Sequence, residues 1–177
     1  KKFLSENKIN KIDIKKLTFK YPKSKTFIFK NFSSSFSKGK ITVITGKSGV
    51  GKTTLINILN GLIVPDKINF RLNNKKINKK DYYNIISNSI SYNDQRPNLF
   101  DTSVAQNITL DFYKKKTDNL KLKNSIKNAS IEDLNLRLIK KENLGLSGHK
   151  LSGGQIQRIL IARALYHKKK VLIFDEP

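Results

Sequence analysis

The run GKSGVGKT, Gly46 to Thr53, joins the apolar stretch ITVIT to LINILNGLI, in which Leu55, Ile58, Leu59 and Leu62 recur at helical spacing. No other feature limits so sharply what this chain can fold into. It fits G-x-x-x-x-G-K-[ST] in a strand–loop–helix setting. Gly46, Gly49 and Gly51 can take backbone angles that turn several N–H groups inward around one anion. The helix that follows adds its positive N-terminal end. Lys47, Ser48, Val50 and Thr54 complete the backbone of the cradle. Lys52 offers a mobile charge to β- and γ-phosphates, and Thr53 a hydroxyl for Mg²⁺. Alone, the loop specifies a nucleoside triphosphate and no particular reaction.

A second run, VLIFDEP, closes the sequence. Its four apolar residues place Asp175 at the carboxyl end of a buried strand, where ligands sit in open parallel sheets. Asp175 is suited to hold Mg²⁺, and Glu176 to act as general base on an attacking water. With the phosphate loop, this makes an ATPase-type site.

The rest of the chain is read by periodicity. Residues 9–20 alternate as a strand, KTFIFKNFSSSF reads as a second, and GKITVIT as a short buried one. A helix is expected over Thr53 to Leu62, broken by Pro65 and Asp66. KINFRLNNKKI reads as hairpin strand, and NIISNSISYNDQ as an apolar stretch ending near Asp94–Gln95. From Asp101 to about 141 the pattern is helical, with the polar interruption KKKTDNLKLKNSIKN expected to be exposed in a small inserted helical subdomain. LSGGQIQRILIARALYH runs from a glycine turn into a helix, with Ile156, Ile159, Leu160 and Arg163 at helical intervals. Strands alternating with helices argue for an α/β fold with a largely parallel core sheet.

Composition narrows the class. A chain of 177 residues with 37% hydrophobic content can bury one core, hence one domain or one domain with a subdomain. No apolar run of membrane-spanning length and no signal-peptide pattern is present. The absence of cysteine excludes a disulfide framework and fits a reducing compartment. The expectation is a soluble, intracellular chain. The net charge of +23 raises nucleic acid or an anionic membrane surface as partners. However, the basic residues are mostly lysines scattered among Asn and Ile through every segment, which reads as a solvated basic surface.

LSGGQIQR, Leu151 to Arg158, resembles the signature sequence of ATP-binding cassette (ABC) proteins. GLSGHKLSGGQIQRILIARAL, with Gly145 and Gly148, resembles the surrounding segment in ABC exporters. Ser152, Gly153, Gly154 and Gln155 at a helix N-terminus make a second anion-binding element. In the family this element completes the site of the opposite subunit, so that two cassettes sandwich two ATP molecules head to tail. SYNDQRPNLFDTSVAQNI, residues 91–108, is similar to the family's Q-loop region. That places Gln95 where the family uses a glutamine contacting Mg²⁺ and water, in a loop that relays ATP state to membrane domains. Tyr21, in LTFKYP, resembles the aromatic that stacks on adenine.

The resemblance runs from about residue 12 to Pro177. It implies a P-loop NTPase core with a mostly parallel sheet, an N-terminal antiparallel β subdomain and an inserted helical subdomain at about 96–165, all in one domain over 1–177. It implies ATP and Mg²⁺, hydrolysis coupled to transport, partner transmembrane domains, a second nucleotide-binding domain and a place at the cytoplasmic face of a membrane. Nucleic acid is not an expected partner on this reading; the alternative is a non-transport ABC ATPase acting on it. The family continues beyond DEP with a further strand and a switch histidine, absent here, and neither His149 nor His167 falls where that histidine would; both read as surface residues. The glycine the family often has near Lys67 is also absent. With the C-terminal part of the fold missing, an uncovered sheet edge and poor solubility are expected. A cassette that binds ATP without hydrolysing it is the third reading.

Overall fold

A computed structural model describes residues 8–94, 99–113, 117–131, 134, 139 and 142–175. The architecture is mixed α/β, and the chain divides into two compact units, up to Ile90 and from Ser91 onward.

The first unit is built on a four-stranded antiparallel sheet in the order β2-β1-β3-β4. β1 (Lys11–Phe19) is central and buries Ile12, Ile14, Leu17 and Phe19. The step from 14 to 17 breaks strict alternation, because a register irregularity at Lys15–Lys16, with Lys16 at φ 55°, inserts an extra residue. The bulge thereby keeps all four apolar side chains buried. β2 (Phe29–Ser37) pairs along one edge of β1. β3 (Lys67–Leu72) and β4 (Lys75–Ile77) form the hairpin. Its turn is Asn73–Asn74, both left-handed at φ 50° and 67°, a conformation that Asn tolerates better than most residues.

Among the described residues, two helices belong to this unit. α1 (Lys52–Leu59) buries Leu55, Ile56, Ile58 and Leu59. α2 (Lys79–Ser89) starts at Asn78, whose Oδ1 accepts the Asp81 N–H at 2.8 Å. Tyr82 of α2, wholly buried, stacks on Phe70 of β3 with centroids 3.5 Å apart, and its hydroxyl donates to the Leu59 carbonyl at 3.2 Å. One side chain thus fastens α2 to both the sheet and the end of α1.

In the second unit, β5 (Ile90–Asn93), which begins at the boundary, pairs with β6 (Val171–Phe174). The Asp175 N–H donates to the Asn93 carbonyl at 3.0 Å, so the two carboxyl ends lie side by side and the strands run parallel. Three helices pack as a cluster: α3 (Val104–Thr109), α4 (Asn119–Asn128) and α5 (Gly153–Tyr166). Val104 and Ile108 of α3 meet Ile159, Leu160 and Ala162 of α5 in a common core. Each large aliphatic side chain buried there contributes about 1.5–3 kcal/mol.

Three sequence expectations are corrected. ITVIT is not a strand: residues 41–47 are irregular, with Ile41 96% and Val43 76% exposed. No described strand of the first unit pairs with it, and an apolar run becomes a strand only where neighbours take its backbone groups. The helix after the phosphate loop ends at Leu59, and Leu62 lies outside it, 68% exposed; Gly61, at φ 78°, has turned the chain before it. The lysine-rich interruption is not wholly exposed. Much of it is α4, which buries Ser125 and packs Leu122 and Ile126 on the core; its Lys114–Lys116 lie outside the described residues.

Candidate functional site

The phosphate loop enters α1 through glycines at positive φ: Gly46 at 153°, Gly49 at 77° and Gly51 at 106°. Gly51 is the N-cap, and only a glycine fits there. A Cβ would stand 2.5 Å from Ile28 Cγ2 and 3.3 Å from the Phe29 ring. Gly49 has nothing within 4 Å of its would-be Cβ, so its requirement is conformational. Val50 covers Gly46, 3.0 Å from the position a Cβ would take there. The Val50 N–H closes a turn on the Lys47 carbonyl at 3.4 Å.

Lys52 folds back over this loop. Its Nζ donates to the carbonyls of Gly46 at 2.9 Å and Lys47 at 3.0 Å. The ammonium is therefore held at the loop on neutral acceptors, each weaker than a phosphate oxygen would be. The two threonines that follow differ in surroundings. Thr53 is exposed at the first turn, beyond Ser48 and Lys47, which are also exposed. Thr54 is buried, and its Oγ1 hydrogen-bonds the Tyr21 hydroxyl at 2.9 Å. Tyr21, 42% exposed and edge-on to Phe19 at 5.1 Å, is thereby fixed beside the helix that carries the loop. The hydroxyl free to meet a cation is that of Thr53.

In the second unit the signature residues open α5. The Gln155 N–H donates to Ser152 Oγ at 3.3 Å and the Ser152 N–H to Gln155 Oε1 at 2.9 Å, a reciprocal capping box. Gly153 and Gly154 are exposed, with nothing within 4 Å of a would-be Cβ. Two glycines in the first turn cost helix stability, up to about 1 kcal/mol each against Ala. Nothing in the packing of the described residues requires them. Upstream, Gly145 and Gly148 are at positive φ, 79° and 76°, and the His149 ring sits over Gly145. His149 and His167 are both exposed.

Asp175 is buried at the end of β6. The Tyr92 hydroxyl approaches its Oδ2 at 3.4 Å. Desolvation first, then the Asp94 and Asp175 carboxylates, push the Tyr92 phenol up to about 12. It therefore stays protonated, a donor beside Asp175. Gln95 and Glu176 lie outside the described residues. No cluster of metal-ligating side chains occurs among the described residues.

Sequence reasoning passed over Tyr92, and also Asp101 and Asn107, which tie the segment after Gln95 to the signature region. Ser103–Gln106 forms a complete capping box, and the pattern S-x-x-Q was legible. Nothing in the sequence marked the long-range partners.

The model of the ABC transporter family matches residues 29–177. The nisin transport ATP-binding protein of Lactococcus lactis subsp. lactis is 30% identical over 96% of this chain and 29% of its own length. The colicin V secretion/processing ATP-binding protein of Escherichia coli is 34% identical over 90% of this chain and 23% of its own. A putative ABC transporter ATP-binding protein of Clostridium acetobutylicum is 34% identical over 83% of this chain and 52% of its own. The chain thus spans between about a quarter and a half of these relatives. Among solved structures, a bacterial Atm1-family ABC exporter with ATP bound superposes with a TM-score of 0.76 over 94% of this chain and 29% of that one. The identity there is 24%, a likeness of fold.

Proposed function

The chain belongs to the ABC transporter family, and on that premise we propose that it is the nucleotide-binding domain of an exporter, binding and hydrolysing ATP to drive transport across a membrane. The observation that carries the reading is the phosphate loop itself: left-handed glycines, an exposed Thr53 at the start of α1, and a lysine whose ammonium rests on the loop carbonyls.

In this reading the loop amides from Gly46 to Thr54 and the α1 N-terminus hold the phosphates, and Tyr21 meets the adenine. Lys52 exchanges its two carbonyls for phosphate oxygens and offsets the charge that develops as water attacks the γ-phosphoryl in line. Thr53, Asp175 and Gln95 would hold Mg²⁺. The exposed hydroxyl and the strand-end carboxylate are hard oxygen donors of the kind this ion takes. Bound there, the ion would draw charge from the phosphate oxygens. Glu176 orients and deprotonates the water. Ser152, Gly153, Gly154 and Gln155 serve the site of a second copy in a head-to-tail dimer. The bare first turn of α5 supports this, because Gly153 and Gly154 put no side chain there and open space lies where a Cβ would stand. The helical segment at about 96–165 would act as the subdomain that relays closure to transmembrane domains, at the cytoplasmic face of the membrane.

Glu176→Gln tests the chemistry. It should leave ATP affinity intact, slow hydrolysis by two orders of magnitude or more (roughly the contribution of a positioned general base), and favour an ATP-bound dimer in size-exclusion chromatography. Hydrolysis at the unaltered rate would remove Glu176 from the role of base.

A further inference from the structure

The segment Leu99–Ser103 begins four residues after Gln95 and is fastened to the signature region at both ends. On one side it meets the turn that precedes the signature. The Gly145 N–H donates to Asp101 Oδ1 at 2.7 Å, across 44 residues of chain, and the Leu144 N–H to the Thr102 carbonyl at 3.1 Å. Gly148 lies so close that an added Cβ would stand 3.1 Å from Leu99 Cδ1. On the other side Asn107, with no exposed surface, knots the segment to α5. Its Nδ2 donates to the Phe100 carbonyl at 2.9 Å and to Thr102 Oγ1 at 3.1 Å, while its Oδ1 accepts the Phe100 N–H at 2.9 Å. From α5, Arg163 Nε donates to the Asn107 carbonyl at 2.7 Å and Nη2 to Asn107 Oδ1 at 3.2 Å.

The Asp101 bond is short and charge-assisted, and such bonds are about twice as strong as neutral ones. It holds the amide of a glycine at positive φ (Gly145, φ 79°, ψ 172°), a backbone region open essentially to glycine alone, just upstream of Ser152. The Arg163 bonds are partly buried, where leaving a donor unmatched is costly. The segment after Gln95, the turn before the signature and the signature helix are thereby joined as one hydrogen-bonded body.

We propose that Asp101 and Asn107 are positioning residues for the Ser152–Gly154 turn, fixing it relative to the segment that follows Gln95. Asp101 acts through Gly145, and Asn107 through Arg163. The functional consequence rests on the reading of Ser152–Gly154 as a nucleotide-contacting element; the mechanical claim does not.

The test is amide hydrogen exchange of the 177-residue chain without nucleotide, with ATP affinity measured alongside by calorimetry. In Asp101→Ala, the Gly145 amide should exchange about tenfold faster, as expected for loss of a charge-assisted bond. The amides of residues 152–156 should also speed up, while ATP affinity at the phosphate loop stays unchanged. Asp101→Asn, which keeps the accepting oxygen, should restore the slow rates. Arg163→Lys, which keeps the charge but loses the fork, should speed residues 152–156 without freeing Gly145. Unchanged exchange at 152–156 in both Asp101→Ala and Arg163→Lys overturns the proposal and leaves Asp101 a local cap. Failure of the unaltered chain to bind ATP would defeat the proposed function instead, while the exchange rates would still decide the positioning claim.

Discussion

At the scale of single residues, the clearest requirements are at glycines whose substitution would act in opposite directions. Gly51 is confined by Ile28 and Phe29 and held at φ 106°. Gly51→Ala combines a left-handed strain with a side-chain clash, and should lower stability by about 2–4 kcal/mol, read as a shift of the urea midpoint. Gly154 has open space where a Cβ would go. Gly154→Ala should raise stability by about 0.5–1 kcal/mol and yet weaken ATP-driven pairing of two copies. A stabilised variant with unimpaired pairing would remove Gly154 from the interface. His167 adds a pH effect. Its imidazole pKa is lowered by desolvation, and further by Lys121, Lys169 and Arg163, against a hydrogen bond to the Ile108 backbone. A depressed folded-state value means that the unfolded chain takes up the proton first, so stability is lost as pH falls below about 6.5, the ordinary histidine value. Urea unfolding at pH 7.5 and 5.5 should show that loss, and His167→Asn should shrink it.

At the scale of elements, local chemistry was most legible where it was self-contained. β1 was written in its alternation on either side of the bulge at Lys15–Lys16, the 67–77 hairpin in the Asn pair that turns it, and α5 in the Ser152 cap followed by Ile159 and Leu160. The phosphate loop could be read because its glycines answer to backbone angles. Partners distant in sequence could not be read. ITVIT announces burial but not which strands would flank it, and Ile41 and Val43 stand exposed while Ile44 is half-buried. The lysines around α4 concealed the Leu122 and Ile126 pair that docks it on the core. Their long aliphatic stems and charges read as solvent-facing whether or not the segment is helical. Asn107 looked like one asparagine among many, and its hub role depends on loop and helix partners that only folding assembles.

At the scale of the whole molecule, the motifs divide between the two units: phosphate loop, Tyr21 and α1 in the first, signature and Asp175 in the second. The family was legible from the order and spacing of short motifs, and the match over residues 29–177 agrees with it. The charge of +23 was the least informative feature, because scattered lysines attract any polyanion without specifying one. ATP itself is such an anion, so the site must be distinguished from the general field. The deciding measurement is therefore calorimetric titration of MgATP into the chain and into Lys52→Ala at two ionic strengths. The account predicts saturable binding of one ATP per chain that survives added salt, and an affinity loss of roughly 10- to 100-fold on removing the Lys52 charge-assisted contacts. Binding that is absent, or identical in Lys52→Ala and abolished by salt, would contradict it.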